Sequence, residues 1–115
     1  MKKILFFLAL FSAPAFLKAG NIHEVKYEYQ ADVKVKVVEY EYQADLLVYV
    51  TDYEYQSQGK DQNWFFVKYE YQADTKVFFV DYEYQADIKI FYVKYEYQAK
   101  WNKQTKFTGR FKKQK

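Results

Sequence analysis

The feature that most constrains this chain is an internal repeat. The tetrapeptide Tyr-Glu-Tyr-Gln occurs six times, and in four of the copies it continues as Tyr-Glu-Tyr-Gln-Ala-Asp. The copies begin at Tyr27, Tyr40, Tyr53, Tyr69, Tyr82 and Tyr95, so successive copies lie 13, 13, 16, 13 and 13 residues apart. Self-similarity at this spacing predicts equivalent structural units, each of which contacts its neighbours in the same way.

The residues between the copies alternate apolar and polar side chains, which is the pattern of β-strands. After the first copy, Val33, Val35 and Val37 are apolar at every second position, and the apolar positions then change parity at Val38. The same change occurs at Val50–Thr51, Phe66–Val67, Phe79–Val80 and Tyr92–Val93. A strand that changes its buried side needs a bulge or a corner. Each 13-residue unit is therefore predicted to be two short strands of about five residues joined by a bend.

The connector between most units is Gln-Ala-Asp, which lacks the glycine or proline that tight β-hairpins use. We therefore expect the units to wind in one sense, as a compact toroid-like or solenoid-like all-β domain. The third copy differs because Ser57–Gln62 adds three residues, among them Gly59, and three copies lie on each side of this segment. This spacing predicts two similar halves joined at a crossover.

The N-terminus has the features of a secretory signal peptide. Met1–Lys3 is basic, and Ile4–Phe11 is apolar but too short to span a bilayer stably. Small residues follow, and we expect cleavage after Ala19, with Ala15 as the alternative site. Residues 1–19 are thus predicted to be removed. The mature chain is expected in the periplasm or outside a bacterial cell, with no transmembrane segment after cleavage.

The net charge of the rest of the chain changes sign at Lys100, from negative to positive. Residues 20–99 contain eight lysines and 15 acidic residues, whereas residues 100–115 contain seven basic residues and no acid. We expect residues 20–101 to form the β-repeat domain and residues 102–115 to form a basic tail. The tail either contacts an anionic surface, such as lipid headgroups or envelope polysaccharide, or serves as a solubilising terminus or a strap over the acidic repeats. The candidate surface-binding residues are Trp101, Lys103, Lys106, Arg110, Lys112 and Lys113.

Twelve of the 14 tyrosines belong to the repeats. A tyrosine combines a large apolar body with one hydroxyl that needs a partner when it is buried. Because the repeats contain few leucines and isoleucines, we interpret these tyrosines as the core and edge of the domain. The alternative is that they form rows of exposed rings that stack on sugars or pack on another protein. These repeat-defining residues are Tyr27, Tyr29, Tyr40, Tyr42, Tyr53, Tyr55, Tyr69, Tyr71, Tyr82, Tyr84, Tyr95 and Tyr97.

The repeat motif resembles that of the septoil-knot family. The resemblance rests on Tyr-Glu-Tyr-Gln-Ala-Asp units separated by short strands of Val, Lys, Phe and Tyr, with Trp101 after the last copy, and it covers about Val25 to Trp101. It implies a small all-β domain whose backbone is wound into a seven-crossing torus knot, with the Ser57–Gln62 loop as the crossover. The family is of unknown function, so the resemblance implies no catalytic residues.

The sequence offers little for catalysis. It contains no cysteine, and after signal removal it contains one serine, Ser57, and one histidine, His23. Neither lies in a segment that predicts a rigid nucleophile–base pair. Carboxylate pairs such as Glu39 and Glu41 recur in equivalent settings, whereas a glycosidase needs two carboxyl groups in different environments. We therefore expect no enzymatic activity, no cofactor and no metal.

The acidic residues of the repeats are predicted to be structural. The glutamates between the tyrosines are expected to face lysines of neighbouring strands as a polar ladder; they are Glu28, Glu41, Glu54, Glu70, Glu83 and Glu96. The connector aspartates Asp32, Asp45, Asp74 and Asp87 could supply oxygen ligands to calcium. Because they lack a glycine-rich loop that would wrap an ion, we interpret them as bending residues that accept backbone N–H bonds.

The sequence therefore predicts an exported structural or binding protein without catalytic activity, built as a rigid, protease-resistant and monomeric β-repeat domain. The alternative is a carbohydrate-binding or envelope-surface-binding module that uses exposed tyrosines and the basic tail. In either case the expected partner is an envelope polysaccharide or protein. Nucleic acid is not expected because the protein is exported, and a hydrolase is disfavoured because the necessary residues are missing.

Overall fold

Each repeat folds into one strand and one turn of 3-10 helix. The computed structural model describes residues 20–109. Its strands are β1 (Asn21–Glu24), β2 (Val33–Val37), β3 (Leu46–Val50), β4 (Asn63–Phe66), β5 (Thr75–Phe79), β6 (Ile88–Tyr92) and β7 (Lys100–Trp101). The 3-10 turns span Glu28–Gln30, Glu41–Gln43, Glu54–Gln56, Glu70–Gln72, Glu83–Gln85 and Glu96–Gln98. Each turn is named after the tyrosine that precedes it, from the Tyr27 turn to the Tyr95 turn.

The wound all-β repeat is confirmed, but the prediction of two strands per unit is wrong, because Tyr-Glu-Tyr-Gln forms the 3-10 turn. The glutamine accounts for the difference. The Gln30 N–H donates to the Tyr27 carbonyl at 3.0 Å, and the Tyr27 N–H donates to Gln30 Oε1 at 3.1 Å. The same pair of bonds closes four more turns, those at Tyr40, Tyr69, Tyr82 and Tyr95. Reciprocal bonding of this kind satisfies backbone groups that a helix start leaves unpaired.

The predicted corners coincide with the ends of the strands. Strand β2 ends at Val37, and the Val38 N–H donates to the Ile90 carbonyl at 2.8 Å as the chain leaves the sheet. Val38 is buried in a small cluster with Ala44 and Leu47, outside the main core. The change of parity in the sequence therefore marks the point at which the strand gives way to the turn.

Six of the strands form a closed ring. Their order is β1, β5, β2, β6, β3 and β4, every neighbouring pair is parallel, and β4 pairs with β1 to close the ring. Strand β7 lies antiparallel against the first residues of β3. Because no hairpin joins these six strands, the expectation that the chain winds in one sense is confirmed.

The chain makes two interleaved circuits of this ring. From β1 to β2 and from β2 to β3 it advances two places, so that each connecting turn passes over the strand that lies between, as the Tyr27 turn does over β5. From β3 to β4, across Ser57–Gln62, it advances a single place. This shift brings β4, β5 and β6 between the strands of the first circuit. The predicted crossover between two similar halves is confirmed.

The core fills the inside of the ring. Each of the six ring strands contributes one or two inward side chains that are at most 3% exposed. Aliphatic side chains dominate, Trp64 is the largest residue, and Phe79, Trp101 and Phe107 pack against the cluster from its margins. The core residues are Ile22, Val33, Val35, Leu46, Val48, Trp64, Val77, Ile88 and Ile90. A ring of six short strands therefore closes around its own aliphatic side chains.

An aspartate fixes each regular crossing. The Asp32 N–H donates to the Lys76 carbonyl at 2.8 Å, and Asp32 Oδ2 accepts the Lys76 N–H at 2.9 Å. Lys76 belongs to β5, the strand that the turn crosses. The same two-point clasp joins Asp45 to Lys89, Asp74 to Asn21 and Asp87 to Lys34. The interpretation of these aspartates as acceptors of backbone N–H bonds is confirmed.

Replacing Asp32 by alanine should destabilise the domain by about 1–3 kcal/mol, because the partly buried Lys76 N–H loses its acceptor. Asp32→Asn is the matched control, since its side-chain oxygen can still accept that bond, and we expect it to cost clearly less. Equilibrium unfolding in guanidinium chloride measures both changes. Equal losses for the two variants would show that the hydrogen bond is not what stabilises the crossing.

Candidate functional site

The repeat tyrosines lie outside the ring, because the 3-10 turns cross over the strands and the aliphatic side chains fill the interior. The interpretation of these tyrosines as core is therefore wrong. The first ring of each turn is 49–60% exposed and the second is 73–85% exposed. Their hydroxyl groups consequently need no buried partner. Together the six turns place twelve tyrosine rings at the surface of the domain.

The two rings of each turn lie beside one another, and in five of the six turns they are stacked. Ring centroids are 5.7–5.9 Å apart in all six pairs. The planes of five pairs are within 9–16° of parallel, while Tyr53 and Tyr55 are tilted by 36°. The tilted pair belongs to the copy in which the Tyr53 N–H bonds to Thr51 Oγ1 at 3.1 Å instead of to the glutamine. Stacking leaves the outer face of the second ring open to solvent.

The glutamates between the tyrosines have different partners around the ring. Glu28, Glu70 and Glu96 pair with lysines at 3.2–3.3 Å; the lysines are Lys34, Lys76 and Lys60 respectively. Glu54 Oε2 accepts a hydrogen bond from Asn21 Nδ2 at 2.8 Å. Within residues 20–109, neither Glu41 nor Glu83 makes an ion pair. The predicted polar ladder is thus present at half of the turns, and in two of these the lysine belongs to the strand that follows the turn.

The carboxylate of Glu96 accepts two side-chain hydrogen bonds. The hydrogen bond from Asn63 Nδ2 at 2.8 Å, followed by that from Lys60 Nζ at 3.3 Å, lowers the pKa of Glu96 below its ordinary value. Both bonds favour the charged carboxylate, so the contribution of Glu96 to stability is present above the unfolded-state pKa and is lost as the pH falls through the folded-state pKa. This carboxylate therefore remains charged at neutral pH.

Shallow cavities lie against the three turns that carry these ion pairs. Their volumes are about 550, 510 and 540 Å³ at the Tyr27, Tyr69 and Tyr95 turns respectively. Each is lined by both tyrosines of the turn, by the glutamate between them, by an alanine and by a lysine. The same aromatic and charged groups therefore recur as a surface site at different points around the ring.

The first part of the tail packs on the domain. The Asn102 N–H donates to the Asp45 carbonyl at 2.8 Å, Lys103 Nζ is 3.9 Å from Asp45 Oδ1, and Phe107 packs against the core cluster. Lys106 Nζ lies 5.3 Å from the centroid of the Phe107 ring. Of the six candidate surface-binding residues, Arg110, Lys112 and Lys113 lie outside the described residues. The other three lie on this packed segment.

Asp61 anchors that segment, although the sequence analysis did not single it out. Asp61 is 9% exposed, and its Oδ2 accepts hydrogen bonds from Trp101 Nε1 at 3.0 Å and from the Gly109 N–H. Its carbonyl accepts the bond from Trp64 Nε1 at 2.8 Å. The only hint of this role in the sequence is the acidic residue in the one irregular loop. Asp61 thus links the crossover loop, the core and the C-terminal segment.

We expect Asp61→Ala to release residues 102–109 and to cost about 1–3 kcal/mol, because two N–H donors lose their acceptor. Hydrogen exchange of the amides of residues 102–109 should accelerate, while exchange in the ring strands changes little. Asp61→Asn, which retains one acceptor oxygen, serves as the control. Unchanged exchange near Gly109 in the alanine variant would contradict this role.

The described residues show no arrangement typical of a catalytic or metal centre. Ser57 is fully buried, and its Oγ donates to Asn21 Oδ1 at 3.0 Å, while His23 Nδ1 lies 3.2 Å from the Val67 carbonyl. Within residues 20–109 there is no group of three His, Cys, Asp or Glu side chains placed to hold a metal ion. No helix in that range is long and apolar enough to cross a membrane.

Comparison with protein families identifies the winding. A family model described as the 7(1) septoil knot domain matches residues 19–102, which is most of the chain. The chain belongs to the septoil-knot family. The two interleaved circuits of parallel strands are thus the winding of a septoil knot, and the family is of unknown function and is not a known enzyme family. Searches of curated proteins and of solved structures found no match.

Proposed function

We propose that this septoil-knot protein is an exported, non-catalytic binding module whose ligand is a polysaccharide of the cell envelope. The observation that carries the proposal is the set of six exposed tyrosine pairs, five of them stacked, with second rings 73–85% exposed. Large aromatic rings that a protein does not use in its own core are typical of a surface that binds something else.

The chemistry of the turns fits a sugar polymer. A pyranose ring presents an apolar C–H face that can lie against a tyrosine ring, and its hydroxyls can donate to a neighbouring carboxylate. Each turn supplies these two groups together, as in Tyr69, Glu70 and Tyr71 beside one shallow cavity. The tyrosine hydroxyl adds a further polar contact at the edge of the ring.

An extended peptide fits this surface less well. Peptides often bind by adding a strand to the free edge of a sheet, but the six parallel strands pair around a closed ring. Two backbone N–H groups of the turn, those of Tyr27 and Gln30, are also bonded within the turn. This arrangement favours recognition through side chains, and the tyrosines and glutamates of the turns lie at the surface.

The repetition of the tyrosine turns raises the affinity for a polymer. A single tyrosine pair in water offers a small contact and a weak affinity. A polymer that engages several turns binds the second and later sites at a high effective concentration, which can raise the overall affinity by about 10²–10⁴-fold. The turns are attached to a ring held by the four aspartate clasps. Binding therefore needs little reorganisation of the protein.

A pull-down with insoluble polysaccharides tests the proposal, using the mature chain and envelope glycans such as peptidoglycan and poly-N-acetylhexosamine. Tyr29→Ala, Tyr71→Ala and Tyr84→Ala should each weaken binding by about 2–10-fold, and the triple variant by about 100-fold. The corresponding phenylalanine variants retain the rings and should bind nearly as well as the wild type. If no glycan binds, or if the triple alanine variant binds unchanged, the proposal is wrong.

Export is tested separately. The basic start, the apolar segment Ile4–Phe11 and the small residues before Gly20 support cleavage after Ala19. The full-length protein expressed in a bacterium should be recovered from the periplasm or the medium with Gly20 as its first residue. N-terminal sequencing gives the answer, and recovery of a cytoplasmic chain that begins at Met1 would exclude export.

A rigid structural protein of the envelope is a second candidate function. It is favoured by the closed ring and the aspartate clasps, since these hold the chain at several crossings and resist the local unfolding that a protease needs to cut it. This role predicts that the domain survives prolonged protease treatment, whether or not a glycan binds to the tyrosine turns.

A further inference from the structure

The residue before the first tyrosine divides the six turns into two classes. It is a lysine at the Tyr27, Tyr69 and Tyr95 turns and an acidic residue at the Tyr40, Tyr53 and Tyr82 turns. Lys68 Nζ lies 5.4 Å from the centroid of the Tyr69 ring, and Lys94 Nζ lies 5.6 Å from that of Tyr95. At these two turns, an ammonium group of the protein itself therefore occupies the cation–π position on the first ring.

At the acidic turns, no ammonium group of residues 20–109 lies over the first ring. Glu39 and Asp81 replace the lysine, and the rings of Tyr40 and Tyr82 are 55% and 60% exposed. Each ring then has a carboxylate on both sides of it in the sequence. Neither Glu41 nor Glu83, the second carboxylate in each case, makes an ion pair within residues 20–109.

These two turns are neighbours on the ring. The Tyr82 turn contacts β2 and the Tyr40 turn contacts β6, and β2 and β6 pair with one another. We call the surface formed by Glu39, Tyr40, Glu41, Asp81, Tyr82 and Glu83 the acidic sector. The two strands that these turns contact each carry a lysine, Lys36 of β2 and Lys89 of β6, and the two are register partners. From the C-terminal segment, Lys103 Nζ lies 3.9 Å from Asp45 Oδ1, at the end of the Tyr40 repeat unit.

We propose that the acidic sector binds the free ammonium groups of an amino-sugar polymer, that is, a polysaccharide whose 2-amino groups are not acetylated. This inference rests on the proposed polysaccharide-binding function. The ammonium group takes the place over Tyr40 and Tyr82 that Lys68 and Lys94 take over their own rings, and the flanking carboxylates balance its charge. The sugar rings lie against the open second rings, Tyr42 and Tyr84.

Charge complementarity favours this occupant over a neutral glycan. The repeats carry 15 acidic residues against eight lysines, and within residues 20–109 none of Glu39, Glu41, Asp81 and Glu83 makes an ion pair like those of Glu28, Glu70 and Glu96. A polymer of ammonium-bearing sugars brings opposite charges to these carboxylates, which a neutral polymer cannot do. Binding should consequently weaken as the salt concentration rises.

The test compares two soluble ligands by calorimetry with the mature chain: a β-1,4-linked glucosamine hexasaccharide and the same oligomer fully N-acetylated. We expect the free-amine oligomer to bind about tenfold more tightly. The double variant Glu39→Lys and Asp81→Lys places a lysine where Lys68 and Lys94 stand, and it should lose this preference while its affinity for the acetylated oligomer stays unchanged. All four positions are exposed, so the fold is preserved. The reverse variant, Lys68→Glu with Lys94→Glu, should gain affinity for the free-amine oligomer.

The outcomes separate the inference from the proposed function. If both oligomers bind equally and through the tyrosines, the polysaccharide function stands and the amino-sugar inference is wrong. If neither binds and no other glycan does, the proposed function fails with it. Poly-lysine is the third ligand. If it binds as well as the free-amine oligomer, and if the same double variant no longer binds it, the acidic sector is a surface for basic peptides and the inference is overturned.

Discussion

Deleting Gln58, Gly59 and Lys60 is expected to abolish folding of the septoil-knot domain. These residues lie in Ser57–Gln62, which lengthens one step of the repeat from 13 to 16 residues. With the regular step, the chain would advance two places from β3 and arrive at the place of β1, so the second circuit could not interleave with the first. The pairs of β4 with β3 and with β1, which close the ring, would both be lost.

Circular dichroism and size-exclusion chromatography of the mature chain measure this effect. The matched control replaces Gln58 and Lys60 by serine, which keeps the length of the loop. Gly59 is retained because glycine suits its backbone, whose φ is +73°. This control loses the exposed ion pair between Lys60 and Glu96, which contributes about 0–1 kcal/mol, and should still fold. A deletion variant that unfolds cooperatively like the wild type would show that the additional loop length is unnecessary.

Much of this winding could be predicted from the sequence, because the repeat encodes it directly. The change of parity at Val38 and its equivalents placed the corners at the ends of the strands, and Gln-Ala-Asp without glycine or proline excluded hairpins. The longer step at Ser57–Gln62 located the crossover. The order of strands around the ring could not be read in this way, since it depends on how two circuits interleave in space, and the knot itself was implied only by the family resemblance.

Two predictions were wrong, namely that each unit contains a second strand and that the tyrosines are buried. Both have the same cause, which is that tyrosine suits several environments. Tyr-Glu-Tyr-Gln alternates with period two and is rich in a residue that strands favour, so it was predicted to be a strand. The two hydrogen bonds between Tyr27 and Gln30 outweigh that preference locally. The tyrosines were predicted to be buried because few leucines and isoleucines were available. A ring of six short strands nevertheless needs only one or two inward side chains from each strand.

The candidate site could be predicted only in its composition. The sequence shows that every turn has a glutamate between two tyrosines and that the preceding residue is basic in three copies and acidic in the other three. It does not show that Lys68 and Lys94 lie over tyrosine rings, or that the turns at Tyr40 and Tyr82 are neighbours. The first relation depends on the side-chain conformation of residues adjacent in sequence. The second arises from the crossing of turns over strands, which brings residues about 40 positions apart in sequence together on the ring.

Trp64→Ala should destabilise the domain by about 3–5 kcal/mol, a large part of the total stability of about 5–15 kcal/mol typical of small domains. Trp64 is fully buried, it is the largest residue of the core, and its ring meets Phe66 edge-on at 6.0 Å. Because it belongs to β4, the cavity would open at the strand that closes the ring. Its Nε1 also donates to the Asp61 carbonyl at 2.8 Å. The substitution therefore also removes a hydrogen bond to the loop that anchors the C-terminal segment.

Trp64→Phe separates the contribution of the buried aromatic ring from that of the hydrogen bond to Asp61. Phenylalanine keeps most of the apolar volume and loses the hydrogen bond to Asp61, so we expect about 1–2 kcal/mol of destabilisation from the lost bond and the smaller ring. Denaturant unfolding followed by far-UV circular dichroism measures both variants without relying on tryptophan fluorescence. A loss for Trp64→Ala no greater than that for Trp64→Phe would mean that the ring interior relaxes around the cavity, and that Trp64 acts mainly by holding Asp61 and the crossover loop in place.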